Sequence, residues 1–390
     1  MRQPPRIRRA TRMAALPLIA LLAAPMVGST SVAAAEGGRT ITVRTTIQAA
    51  VDAARPGDTV MVPAGTYHES VLVTTSHLTI KGSAAAVLDA SGFTYGMVVG
   101  DRPTGNTPVF PGCPPVSVRD FTLDGLTIRN ADHTGIFMRG VDRFRITRGH
   151  YVDNGEYGIF PRCSRDGRID HNTGGGGKDA TIYVGVDDNV TVDHNNLTNG
   201  EIGIELEDTL NTFVRDNKVT GNVAGIFVIV LPGLPRTSTD HAVIADNRVK
   251  DNNLANPFPP VCSAPGVPAG CGPFTDDLQL LPSGTGILSV GGHDVLVRDN
   301  EVTGNDTVGI GMVTNPFGFG PALDTRVIDN TVRNNALHPD VRSGGLAGDL
   351  LYDAAGTGNC FAGNRFTTDV PAGIAAAFAC PPAPGHEADH

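Results

Sequence analysis

Apolar residues recur along this chain in a short phrase, Gly-Ile followed by a second apolar position, at almost constant intervals. Isoleucines sit at Ile136, Ile159, Ile182, Ile204 and Ile226, then again at Ile287 and Ile310, and five of the intervals are 22 or 23 residues long. A polar series keeps step: Asn172, Asn195 and Asn217 each close a Val/Ile-x-x-Asn phrase, and Asn247, Asn300, Asn330 and Asn364 follow. Two residue types locked to one period predict a solenoid, whose rungs of strand and turn must stack because none buries its apolar side alone. Strand side chains alternate, so each isoleucine and the residue two beyond it (Met138, Val184, Leu206, Val228) should face the axis. The asparagines should form an inward ladder of amides about 4.8 Å apart.

The first rungs have a different pattern. Residues 46–54 place Ile47, Ala50, Val51 and Ala54 on one helical stripe, with Thr46 as N-cap and Pro56-Gly57 as the stop. Such a helix would cover the open end of the rod, where core and unpaired strand edges would otherwise meet water. Strands are expected at 59–62, 71–73 and 78–80. An insertion at 93–115 and loops at 231–240, 253–284, 315–324 and 336–358 interrupt the period. They leave or enter beside the Gly-Ile strand, so they should wall one face, and long loops on a rigid scaffold are where function usually sits.

The helix, the Pro-Gly-Asp-Thr-Val turn after it and Val-Pro-Ala-Gly-Thr-Tyr at 62–67 together resemble the opening of the right-handed parallel β-helix, or pectin-lyase-like, superfamily. The resemblance implies an all-β fold, a right-handed single-stranded parallel β-helix (solenoid) with a short N-terminal capping helix. Asp-Ala-Thr-Ile-Tyr-Val-Gly at 179–185, Ile204-Glu205 and Leu-Pro-Gly-Leu-Pro at 231–235 look like a group of exported bacterial β-helix repeat proteins. Thr181 stands where that group has glycine. What the superfamily implies is binding of extended polysaccharide along the strand face, often with lyase, epimerase or hydrolase chemistry. The Asp-Pro-His-Asp of mannuronan epimerases, the Asp-Asp and His-Gly pair of polygalacturonases and the Arg-x-Pro-x-x-Arg of pectate lyases do not occur.

Composition narrows the setting. Arg2, Arg6, Arg8, Arg9 and Arg12 precede an apolar run at 13–28 and then Ala33-Ala34-Ala35, the pattern of a secretory signal. The expected organisation is a signal peptide at 1–35, a β-helix domain with loop insertions at 36–370 and a C-terminal tail at 371–390. Cleavage removes five of 30 basic residues and no acid, so the secreted chain is more acidic than the full chain's net charge of −10. Nucleic acid is therefore not an expected partner, since its binding rests on clustered Lys and Arg. No later segment is long and apolar enough to span a bilayer, and a monomer is expected. Six cysteines in an exported chain read as three disulfides. Cys262 and Cys271 share a loop, Cys360 and Cys380 bracket the last rung, and Cys113 and Cys163 are left for each other, among fifteen connectivities that spacing alone allows.

If each isoleucine faces inward, the residues three before, one after and three after it face outward. These columns read His133, Glu156, Asp179, Glu201; Phe137, Phe160, Tyr183, Glu205; and Arg139, Arg162, Gly185, Glu207. Further along they carry no charge: Val223, Phe227, Ile229, Gly284, Leu288, Val290, Thr307, Gly311 and Val313. Polarity concentrated on four adjacent rungs marks a working site. Asp179, Tyr183 and Glu205 are the candidate catalytic residues. Arg139 and Arg162 are candidates to clamp a substrate carboxylate, and Phe137, Phe160, His133 and Glu156 to complete a sugar-binding surface. The reaction expected is lyase or epimerase chemistry on an acidic, uronate polysaccharide, with Tyr183 or His133 moving the proton beside the clamped carboxylate. Two alternatives use the same patch: a non-catalytic rod that only grips polysaccharide, and a glycoside hydrolase with paired carboxyls. Glu201 and Glu207 are candidate calcium ligands.

Overall fold

A computed structural model of the chain describes residues 38–102, 112–262, 271–318 and 320–381, so the leader lies outside the described residues. Each regular rung contributes one strand to each of three parallel sheets, of 12, 11 and 10 strands. The Gly-Ile strands build the 11-stranded sheet, among them Thr134–Arg139, Tyr157–Arg162, Ala180–Gly185, Ile202–Glu207 and Ala224–Ile229. Their isoleucines are register partners from Ile136 to Ile310, and Leu350 extends the column. All are fully buried in one continuous core with the inner residues of the other two sheets. Truncating one to alanine would open a cavity at a cost of about 2–5 kcal/mol.

The asparagine ladder forms as the spacing predicts. Asn195 Oδ1 accepts from the backbone N–H of Asn172 at 2.9 Å and from its Nδ2 at 3.0 Å, and the pattern repeats rung by rung to Asn364. The residue before each of these turns is left-handed, for example His171 (φ 58°), His194 (57°) and Asp216 (56°). A single residue there reverses the strand direction sharply enough to pass from one sheet to the next. A second ladder, Asn222, Asn252, Asn305 and Asn335, runs beside it and ends on Asp349.

That second ladder accounts for the glycine of the Gly-Ile phrase. A Cβ on Gly225 would lie 3.1 Å from Asn252 Nδ2 and 2.4 Å from Val249 Cγ1. Glycine and isoleucine thus both face the core, and strict alternation breaks between them. Where Thr181 replaces glycine, glycines stand opposite: a Cβ on Gly200 would lie 2.9 Å from Thr181 Oγ1, and one on Gly174 3.0 Å from its Cγ2.

Both ends of the described rod are closed. Helix Ile47–Asp52 buries Ile47, Ala50 and Val51, Thr46 Oγ1 accepts from Ala49 N, and Glu69 accepts from the free N–H groups of Ile47 and Gln48. At the other end a short helix, Ile374–Ala377, buries Ile374 and Ala375 inside the segment expected as a tail. The disulfides join Cys113 to Cys163, Cys262 to Cys271 and Cys360 to Cys380. Two expected loops are shorter than their spacing suggests. Tyr95–Gly100 and Gly348–Tyr352 are strands of the 11-stranded sheet, whose Met97 and Leu350 fill the isoleucine position.

Candidate active site

Outward from the 11-stranded sheet the side chains form a second apolar cluster, separate from the axial core, that includes Phe137, Phe160, Tyr183, Ile202, Ala224 and Phe227. Loop residues Leu278 and Leu281 pack onto it from above. The outer columns point away from the axis as expected, but the loops bury most of them instead of leaving an open groove. Phe137 and Phe160 are 1% and 3% exposed, so they serve as packing beneath the loops and not as a sugar platform. Tyr95, Phe137, Phe160 and Tyr183 form a column of ring contacts with centroids 5.4, 5.2 and 4.3 Å apart. Glu205 follows Tyr183 in register, and Phe227 follows Glu205.

Carboxyl groups gather at the end of this column. Glu205 and Asp179 lie within electrostatic reach of each other on successive rungs, Asp179 Oδ1 and Glu205 Oε2 are buried without a hydrogen-bond partner among the described residues, and Tyr157 Oη donates to Asp179 Oδ2 at 2.5 Å. Tyr183 Oη donates to Glu207 Oε2 at 2.5 Å. Its ring lies over Gly185, where a Cβ would be 2.1 Å from Tyr183 Cε1. Glycine there is what lets the phenol reach Glu207 on the next rung. Glu201 is buried, and its Oε1 has no hydrogen-bond partner among the described residues. Asp277, at the start of the 3-10 turn Asp277–Leu280, brings a further acid from the 253–284 loop.

Burial dominates the electrostatics. It pushes Asp179 up to about 7, with the Tyr157 hydrogen bond restraining the rise. Glu205 is driven well above the carboxylate range by burial and by the charges of Asp179, Glu207 and Asp277. Burial likewise takes Glu201 and Glu207 to about 8 and Asp277 to about 6. Burial and mutual charge therefore favour a proton held on the Asp179–Glu205 pair, with Glu205 raised further than Asp179. Desolvation and a like charge nearby both disfavour the second charge. Tyr157 and Tyr183 are held as neutral hydrogen-bond donors by burial and by these acids.

Arg139 and Arg162 are register partners, yet they are not presented as a fork. Arg139 contacts the Asp101 carboxylate and donates to Gly112 O at 2.8 Å. Arg162 is 6% exposed and lies within electrostatic reach of Asp187, Glu207 and Asp208. Deep acids compete for it because burial weakens their solvation. His133 Nε2 pairs with Glu156 at 3.0 Å and its Nδ1 meets Thr134 Oγ1 at 2.7 Å. Its burial lowers its affinity for a proton. Of the candidate calcium ligands, Glu207 is engaged by Tyr183 and Glu201 is buried, and among the described residues no three His, Cys, Asp or Glu side chains are grouped to hold a metal.

The structure thus brings together Asp179, Glu205, Tyr183, Glu201 and Glu207, and sets His133 with Glu156 at one margin. Two contributors escape the sequence reading. Tyr157 sits two before an isoleucine, a position that strict alternation assigns to the core, and the break at the glycine turns it outward. Asp277 comes from a loop with no repeat signal.

Residues 70–230 match the family described as "Right handed beta helix region". No curated protein matches the chain. Among solved structures the chain is similar to the A-module of a mannuronan C-5 epimerase from Azotobacter vinelandii, with a TM-score of 0.58, 16% identity and 86% of each chain covered. It is also similar to a family 28 exopolygalacturonase from Yersinia enterocolitica, with a TM-score of 0.53, 12% identity, and 85% of this chain and 76% of that one covered. An alginate lyase from Paenibacillus sp. matches with a TM-score of 0.50, 17% identity and coverage of 86% and 96%. At these identities the likeness is one of fold. The chain folds as a right-handed parallel β-helix, with the β-helix family region at residues 70–230.

Proposed function

We propose that this protein is a carbohydrate-active enzyme that cleaves a glycosidic linkage by acid–base chemistry, with Glu205 as the proton donor and Asp179 as its carboxylate partner. The observation that carries the proposal is the buried Asp179 and Glu205 side by side on the outer strand face, each with an unpartnered oxygen, with Tyr157 donating to Asp179. Hydrolysis of a glycoside needs an acid that keeps its proton near neutral pH to protonate the leaving oxygen, the role proposed for Glu205. A carboxylate acting from the opposite side stands roughly 5–9.5 Å from that acid, so Asp179, close beside Glu205, tunes the proton and does not act from that side. Tyr183 and Glu207 form a buried hydrogen-bonded pair beside them that fixes the floor of the site. The β-helix structures similar to this one, named as an epimerase, an exopolygalacturonase and an alginate lyase, support a carbohydrate substrate. Three disulfides fit action in an oxidising compartment outside the cell.

Lyase or epimerase chemistry on a uronate polymer draws less support. That reaction needs cations to hold the substrate carboxylate, whereas Arg139 is engaged by Asp101 and Arg162 is buried within electrostatic reach of Asp187, Glu207 and Asp208. A neutral glycan suits the site better. The test is a panel of neutral and acidic polysaccharides scored for new reducing ends and for ultraviolet-absorbing unsaturated ends. Glu205→Gln and Asp179→Asn should each lower the rate of reducing-end release by roughly 10²–10⁴-fold while the variants melt no earlier than the parent. Full activity in Glu205→Gln, or unsaturated ends from a uronate polymer, would overturn the proposal.

A further inference from the structure

Past Glu205 and Glu207 the outer face of the same sheet changes character within one rung. Phe227 is the register partner of Glu205, and Ile229 that of Glu207. Both line a cavity of about 280 Å³ whose other walls include Leu288, Val290, Val308 and Leu351. Asp277 lines the same cavity and also acts electrostatically on Asp179, Glu205 and Glu207. The cavity therefore begins one strand spacing, about 4.8 Å, from Glu205 and Glu207, with Asp277 in its wall. Leu280 and Leu346 at its rim are 38% and 49% exposed, so the entrance is apolar too.

A cleft that took only polysaccharide would line its next subsite with hydrogen-bonding groups, since sugar hydroxyls buried without partners are costly. This one offers aliphatic and aromatic walls instead. Cavities of about 150 Å³ with such walls admit a benzene ring, and this one is larger. Resting on the proposed function, we infer that the substrate is a glycoconjugate in which the sugar meets Asp179 and Glu205 while an apolar substituent, an alkyl, acyl or aryl group, fills the cavity over Phe227 and Leu288. The linkage between sugar and substituent then lies beside Glu205, where the leaving oxygen receives its proton and water supplies the new hydroxyl.

The test titrates the full chain with n-alkyl β-glucosides from methyl to octyl, below their micelle-forming concentrations, by calorimetry. Affinity should rise roughly fourfold per added methylene until the cavity is full, with a negative heat-capacity change. Val313→Phe and Ser343→Trp, both at positions lining the cavity, should abolish the chain-length dependence without lowering the melting temperature by more than a few degrees. Equal affinity for the methyl and octyl compounds, or a dependence that survives both filling variants, would overturn the inference. The two readings fail separately. A chain-length dependence with no cleavage of any glycan supports the cavity and defeats the catalytic proposal, whereas cleavage lost in Glu205→Gln with no such dependence does the reverse.

Discussion

Glu201 offers the sharpest test of the buried acid cluster because its only strong perturbation is loss of water. Burial raises it to about 8 from an ordinary value of 4.5, assisted by the charges of Asp179 and Asp276 and opposed by Arg342. In the folded chain it keeps a proton that the unfolded chain has already released above pH 4.5. The fold therefore binds more protons than the unfolded chain between those two values, and stability must fall as pH rises through that window. One group contributes about 1.4 kcal/mol per pH unit, so Glu201 alone costs up to ~4 kcal/mol between pH 5 and pH 8. Glu201→Gln keeps the shape and removes the charge. At pH 5 the variant should match the parent within about 1 kcal/mol, because both side chains are then neutral. At pH 8 it should be more stable, by an amount approaching the full linkage value. Melting temperatures by circular dichroism at half-unit steps from pH 5 to pH 8, with disulfides intact, provide the measurement. His133, whose proton affinity is lowered by burial, contributes with the opposite sign in this range, but it is common to both proteins and cancels. Parallel pH profiles for parent and variant would refute the reasoning.

Asn217→Ala should destabilise the rod by about 2–4 kcal/mol in a thermal or urea melt, since it strips Asn195 N of its acceptor and Val192 O of its donor inside a water-free ladder. A neutral outcome would mean that the ladder follows the fold and does not hold it. Gly185→Ala should displace the Tyr183 ring and break its bond to Glu207. We expect about 1–3 kcal/mol of overpacking, read as a lower melting temperature. On whatever glycan the protein cleaves, activity should fall more than it does in Tyr183→Phe, which loses the hydroxyl but keeps the ring in place.

Periodicity carried the axial half of the structure. The isoleucine column, the first asparagine ladder and the capping helix all follow from spacing plus the need to bury apolar surface and satisfy amides. The second ladder was equally available, since Asn222, Asn252, Asn305 and Asn335 each lie five residues after a member of the first. Rungs whose central residue is Met97 or Leu350 were hidden because they lack the Gly-Ile phrase. Alternation states which side chains leave the axis, and so it placed Asp179, Tyr183 and Glu205 together. It contains nothing about what lies above them. The burial of Phe137 and Phe160, and hence the protonated state of Glu205, depends on loops whose own residues carry no repeat. Arg139 illustrates the same limit: its column was legible, but its partner Asp101 comes from an irregular segment.

Protonation of the Asp179–Glu205 pair can be observed directly by a carbon-13 carboxyl titration, with signals assigned through Asp179→Asn and Glu205→Gln. Asp179 should titrate near pH 7 while the Glu205 signal stays that of a neutral acid through the same range. Two signals already those of carboxylates at pH 5 would contradict a proton held between the side chains, and the acid–base role assigned to them would fall with it.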